Sequence, residues 1–368
     1  MGRHLPVCRV QPPVGRLESQ GRRSHGPRSG CHDEKGSPDD RANDLGVATR
    51  DTCMARLTST DRGTRSDPDS FAGGYFRNAV YRHWDPHEVD VAGDREALLA
   101  HEDDFSGGEF DMLRLGVARF GGGEEAVTED LLPLALALED TDARMFLTTQ
   151  LYEEAKHTRF FDRYWTEVLE PVAAELDLEP TAPTDERYLN DDYVALFDEV
   201  EAAMAALLDD QSPETLARAY SHYHVVAESV LAQTAYYSLQ SAFSDAGDDA
   251  VITRPREEMP TLSGLVSGIA RIRSDEGRHV GFGMHEVRRL VQAEGVDEAV
   301  VQETLTDLMP HVAGIFTDIE GPVDHGAIVA YAREKLSRRL DIITDADEAV
   351  PPVEELVAID GADPGRAD

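Results

Sequence analysis

From about residue 105 onward, apolar residues return every three or four positions, the period of one buried helical face. Phe110, Leu113, Val117 and Phe120 lead through GGGEEAV into LLPLALAL, which reads as one long helix with glycines mid-course and a proline at position 133. The same period predicts helices over 142–177, 191–209, 213–243, 261–294, 297–320 and 325–343. An acidic loop with Gly and two prolines, SDAGDDAVITRPREEMP, fills 244–260. No alternation of period two lasts long enough to form a strand. The pattern predicts an all-α bundle over 105–343. Ahead of it lies an N-terminal segment, 54–104, with one short amphipathic helix in FRNAVYRHWDPHEVD. An acidic, proline-containing tail, 344–368, follows.

Several charged residues interrupt the apolar stripes. In LYEEAKHTRFF, Glu154 and His157 fall on the face that Leu147, Leu151 and Phe161 bury, whereas Glu153 reads as a solvated neighbour. Glu124 shares a stripe with Val117, Phe120, Val127, Leu131 and Leu138; Glu125 points about 100° away. Glu228 lies among Val225, Leu231, Ala232, Ala235 and Leu239. Glu276 and His279 share a face with Ile269, Ile272, Val280 and Gly283. A buried ionisable group costs several kcal/mol unless it is paired or bound to a metal. Taken in order, the intruders read E, E-x-x-H, E, E-x-x-H. That pattern resembles the dinuclear carboxylate site of a ferritin-like four-helix bundle, here with additional helices. Four carboxylates neutralise two divalent cations, and one imidazole per metal leaves positions open for oxygen. Asp275, on the same helix edge, is the expected hydrogen-bond partner of one ligand histidine.

Charge changes the picture in one respect. The 368 residues carry 35 Lys+Arg against 72 Asp+Glu, a net of −37. This disfavours nucleic acid and anionic membranes as partners, and the composition resembles that of proteins from extreme halophiles. The first 53 residues depart from it, with nine Lys/Arg against seven acids and all three cysteines, Cys8, Cys31 and Cys53. Neither the cysteine spacing with His32 nor the acids of this stretch suit a zinc site or a transit peptide. It reads as a disordered or spuriously translated extension. With no secretory or membrane-spanning stretch in view, the expectation is a soluble cytoplasmic protein.

GEEAVT (123–128), FLTTQLYEEAKH (146–157), YHVVAE (223–228) and RSDEGRHVGFG (273–283) together resemble the ligand-binding oxidases related to the ribonucleotide reductase small subunit, over roughly residues 70–320. The resemblance implies a mixed manganese/iron cofactor, with two irons as the alternative. It assigns manganese to Glu124, Glu154 and His157, and iron to Glu228, Glu276 and His279, with Glu154 bridging. It also implies O₂ activation, a long-chain fatty acid or other hydrophobic small molecule at the metals, an ether crosslink between Val127 and Tyr223, and a homodimer. Val127 shares the face of Glu124 three residues on. Tyr223 is five residues before Glu228, so it reaches that face only through a π-type distortion of the helix. A ribonucleotide reductase small subunit is the nearest rival, but its radical tyrosine would stand at Phe161, and no tyrosine follows Tyr331. A non-catalytic metal store or fatty-acid carrier is the other.

Overall fold

The computed structural model describes residues 64–352 apart from 103, 104, 318, 320, 346 and 347. The three cysteines, the extension 1–53 and the last part of the tail lie outside the described residues. Helices α1 (Phe71–Tyr81) and α2 (Ala92–Ala100) lead into α3 (Gly107–Ala137) and α4 (Thr141–Tyr164). Helix α4 continues through a π turn, Trp165–Leu169, to Glu175. Then follow α5 (Asp191–Ala205), α6 (Pro213–Tyr220), a π-helical stretch Ser221–Ala232 and α7 (Gln233–Phe243). Helices α8 (Ser263–Glu294), α9 (Glu298–Ile315) and α10 (His325–Thr344) complete the chain. The described residues form no strand, only an isolated bridge between Ile252 and Val323. No helix among them is long and apolar enough to cross a membrane.

The all-α expectation holds, with small departures. The N-terminal segment contains two helices rather than one, because the chain resumes at Ala92 after the Asp85-Pro86 turn. The helix expected to reach 320 ends at Ile315, where the Phe316 N–H folds back onto the Ala313 and Gly314 carbonyls.

Side-chain caps set the helix starts. Ser106 and Glu109 form a reciprocal capping box at α3, and Asp140 accepts from two N–H groups of α4. The start of α8 has no cap of its own, because Leu262 offers no oxygen. Asp94 of α2 supplies one, accepting from the Gly264 and Leu265 N–H groups at 2.8 Å each and from the Tyr164 hydroxyl at 3.1 Å. Burial pushes the Asp94 carboxyl above the usual carboxylate range.

Two large apolar clusters, with a small third around Tyr237, Val251, Ile328 and Tyr331, fill the described bundle. One gathers Leu131, Leu134, Phe146, Leu147, Phe282 and Leu290; the other gathers Phe110, Leu113, Phe160, Tyr164, Leu265 and Ile269. Helices α3 and α8 run from the second cluster to the first, and α4 and the 213–243 span run back. Every ligand candidate lies at the crossing between the two clusters, so the bundle has an apolar core at each end and a charged layer between them.

The three glycines 121–123 allow close packing at this crossing. A Cβ on Gly121 would approach Phe161 Cβ at 3.3 Å, and one on Gly123 would approach Phe197 Cζ at 3.1 Å. Elsewhere the tolerance differs sharply. A Cβ at Gly268 would lie 2.0 Å from Phe160 Cζ, whereas one at Gly74 meets nothing within 4 Å. Gly268→Ala is therefore expected to destabilise by about 1–3 kcal/mol through overpacking. Gly74→Ala should stabilise by roughly 0.5–1 kcal/mol by restricting the unfolded chain. Denaturant unfolding of both variants checks the pair, and equal effects would contradict the packing described.

Candidate metal centre

All six ligand candidates converge. Helix α3 brings Glu124, α4 brings Glu154 and His157, the π-helical stretch brings Glu228, and α8 brings Glu276 and His279; all are buried. Glu124, Glu154, His157 and Glu276 offer ligand atoms within 4.8 Å of one another, as do Glu154, Glu228 and His279. His157 Nδ1 lies 3.2 Å from Glu154, 3.3 Å from Glu124 and 3.2 Å from Glu276. His279 Nδ1 lies 3.1 Å from Glu154, 3.4 Å from Glu276 and 3.6 Å from Glu228. Glu154 therefore belongs to both nests. Glu276, expected beside His279 alone, spans both histidines with its two oxygens.

The outer nitrogens are held as firmly. His157 Nε2 donates to Asp275 Oδ2 at 3.1 Å, since a carboxylate only accepts. Asp275 also accepts from Trp84 Nε1 at 2.7 Å and Lys156 Nζ at 3.0 Å. His279 Nε2 donates to Glu153 Oε2 at 2.9 Å. Glu153, read from the sequence as solvated, is only 2% exposed. The sequence reading fails there because the partner, Arg278, comes from another helix. Arg278 Nη2 lies 2.6 Å from Glu153 and 2.5 Å from Asp275, joining the two outer carboxylates. The adjacency of each charge to an E-x-x-H motif was the available signal. Tyr236, likewise unforeseen, donates its hydroxyl to Glu124.

The donor set fits a metal pair. Six buried carboxylates gather here (Glu124, Glu153, Glu154, Glu228, Asp275 and Glu276), and Lys156 and Arg278 ion-pair with two of them, Glu153 and Asp275; the four inner carboxylates match the charge of two divalent cations. Among the described residues, Glu228 Oε2, Glu276 Oε2 and His279 Nδ1 make no hydrogen bond although fully buried, as expected of atoms directed at a cation. Without metal, protons replace the ions. Burial pushes Glu124 up to about 7 and Glu228 well above the carboxylate range, with Glu276 adding repulsion to the latter. Burial alone would lower both imidazoles, but the surrounding carboxylates, Glu124 for His157 and Glu154 for His279, hold them well above their ordinary value. Glu154 goes the other way: burial opposes its charge, but the two histidines hold it well below the carboxylate range.

Tyr223 is fully buried in the π-helical stretch, and its hydroxyl donates to Glu154 Oε1 at 3.0 Å. The π distortion anticipated from the five-residue interval to Glu228 is thus present. Phe161 is buried and stacks on Phe120 with ring centroids 5.2 Å apart. On one side the carboxylates Glu124, Glu154, Glu228 and Glu276 line a cavity otherwise built mainly from apolar groups, among them Leu115, Phe120, Val127, Phe197, Leu231 and Ile315. Its accessible interior is about 100 Å³, within a hollow of about 710 Å³ that includes open solvent. The histidines back onto the charged network on the other side.

No protein-family model matches the chain. Solved structures do. A tyrosine-to-phenylalanine variant of an R2-like ligand-binding oxidase with an aerobically reconstituted Mn/Fe cofactor superposes with a TM-score of 0.62 at 28% identity. The match covers 75% of this chain and 94% of that one. A valine-to-leucine variant with an anaerobically reconstituted Mn/Fe cofactor gives 0.63 at 26% identity, covering 75% and 94%. A glycine-to-leucine variant with a non-activated Mn/Mn cofactor gives 0.63 at 26%, covering 75% and 93%. The chain is therefore similar in sequence and fold to R2-like ligand-binding oxidases over three quarters of its length, the resemblance read from its four motifs.

The protonation pattern has a measurable consequence. Glu124, Glu228, His157 and His279 all have folded-state pKa values raised above the unfolded ones. The metal-free native state therefore binds more protons than the unfolded chain, and stability falls as pH rises through about 7. Glu154 and Asp275, whose values are lowered, act oppositely, but only as pH falls through the acid range. Denaturant unfolding at about pH 6 and about pH 8, at fixed salt, should show the metal-free protein weaker at the higher pH. Glu124→Gln should flatten that slope, and saturating divalent metal should remove it. An unchanged slope in Glu124→Gln would refute the assignment.

Proposed function

We propose that this chain is an O₂-activating oxidase with one manganese and one iron, working on a hydrophobic ligand held in the apolar cavity. The observation that carries the proposal is a buried, charge-deficient ring of four carboxylates and two imidazoles opening directly onto that cavity. Glu124, Glu154 and His157 would hold manganese, and Glu228, Glu276 and His279 would hold iron. Glu154 would be shared between the two positions, and Glu276 lies beside both histidines. The Mn/Fe cofactors carried by the similar oxidases support this choice. When bound, the metal pair supplies oxidising power sufficient to remove hydrogen from an unactivated C–H bond.

The chain's own residues do the rest. Phe120, Leu115, Phe197 and Leu231 exclude water from the carboxylate side, which limits side reactions of a strong oxidant. A long-chain fatty acid suits the cavity, its alkyl chain against these groups and its carboxylate toward the metals. Trp84, Lys156 and Arg278 fix the outer carboxylates, which in turn fix the tautomer and direction of both ligand histidines. The Tyr223 hydroxyl proton is already shared with Glu154 Oε1. In the crosslinking turnover the Val127 Cβ–H and Tyr223 O–H bonds break and a Cβ–O bond forms. The two electrons and two protons released pass to O₂. Leu132 and Leu136, exposed one turn apart on α3, supply an apolar strip for the expected homodimer.

Metal-free protein loaded in air with Mn(II) and Fe(II) should bind two ions per chain and become lighter by two hydrogen atoms. The modification should map to the peptides holding Val127 and Tyr223. Loading without O₂, or Tyr223→Phe in air, should leave the mass unchanged. Full metal occupancy with an unmodified mass after aerobic loading would sink the oxidase reading and leave a carrier.

A further inference from the structure

One buried imidazole at the site has no part in the ligand set. His224 follows Tyr223 in the π-helical stretch and is fully buried. It packs against Tyr220 and Tyr223, with ring centroids at 5.2 and 4.6 Å, and against Phe282 at 6.3 Å. Helix α8 makes room for it with Gly283, where a Cβ would lie 2.1 Å from His224 Cβ. Its Nε2 lies 3.3 Å from Gln150 Oε1, and its Nδ1 has no hydrogen-bond partner among the described residues. An amide oxygen only accepts, so Nε2 carries the proton and Nδ1 is bare. Burial pushes His224 down to about 3, which keeps the ring neutral.

Gln150 is fully buried on α4, one turn before Glu154. Its Nε2 donates to Glu228 Oε1 at 2.8 Å and lies 3.4 Å from both the Tyr223 hydroxyl and Glu154 Oε1. The widened π turn explains this convergence. It places Tyr223 and Glu228, five apart, on one face, so a single amide reaches both. The amide is held at both ends, by His224 behind and by Glu228 in front.

Resting on the metal-site reading above, we infer that His224 is a positioning residue: it anchors the Gln150 carbonyl, so that the Gln150 amide N–H group orients Glu228 as a ligand beside His279. Without that anchor the Gln150 side chain is free to turn. Glu228 then loses its donor while its second oxygen, Oε2, already lacks one. Of the Glu124–His157 nest, Gln150 reaches the shared Glu154 alone among the described residues, at 3.4 Å against 2.8 Å to Glu228, so the effect falls mainly on the Glu228–His279 position.

Anaerobic titration of the metal-free protein with Mn(II), followed by EPR, separates the possibilities. Wild type should bind two ions. His224→Phe, which keeps a ring but removes the donor, should weaken one site by roughly ten- to a hundredfold, the usual effect of losing an outer hydrogen bond to a ligand. The other site should be left in place. Gln150→Leu should do the same, and the double variant should be no worse than Gln150→Leu alone, because His224 acts only through Gln150. Additive losses, equal weakening of both sites, or wild-type affinity in His224→Phe would each overturn the inference. Should His224→Phe fail to fold, Gln150→Glu takes its place. It keeps an acceptor for His224 but deprives Glu228 of its donor, so one site should again weaken; unchanged affinity there would refute the inference. Wild type that binds no Mn(II) would instead condemn the metal-site reading itself.

Discussion

Everything in this bundle answers to one electrostatic constraint: a cluster of carboxylates buried between two apolar cores. Six of them lie in one largely desolvated layer, where Lys156 and Arg278 ion-pair with Glu153 and Asp275. Mutual repulsion and desolvation would make such a layer untenable if all six were ionised and alone. Protons on Glu124, Glu228 and the two histidines relieve it in the metal-free chain, and two divalent ions relieve it more completely. The fold thus presupposes an exchange of protons for metal. Its helix directions, with the ligand positions of four spans brought to one level, serve that exchange.

The inner part of this arrangement was legible in the sequence because a helix repeats every 3.6 residues. A charged residue on an apolar stripe is visible in one dimension, and six such intrusions in the order E, E-x-x-H, E, E-x-x-H define a site before any contact is known. The interval from Tyr223 to Glu228 even exposed the π distortion. The outer ring was hidden for the converse reason. Glu153 and Lys156 lie off the stripe on α4, and Arg278 lies beside His279 on α8; each is buried only because another helix covers it. In an acidic chain, adjacency to the E-x-x-H motif is the sole local feature that sets Glu153 apart from a solvated glutamate. Asp94 was hidden in the same way, since the helix it caps starts 170 residues later.

The two sides of the centre divide the work. Polar hydrogen bonds crowd the histidine side, where Trp84, Lys156 and Arg278 leave the outer carboxylates little freedom. The carboxylate side faces apolar groups across the cavity. Rigidity on one face and an apolar opening on the other suit a centre whose ligand must enter and leave while the metals stay.

The placement of oxidisable rings follows the same division. Position 161, one turn beyond His157, carries a phenylalanine packed against Phe120 and Phe160, so α4 itself offers no phenol there; the phenol on that side is Tyr236, stacked on Phe120 and donating to Glu124. Tyr223 instead hydrogen-bonds Glu154, a carboxylate common to both nests. The Tyr223 phenol, 3.0 Å from Glu154, has its proton already placed on a carboxylate of the site, so loss of an electron there can be coupled to loss of that proton. The extra width of the π turn is what brings a residue five positions from Glu228 onto the face of the site.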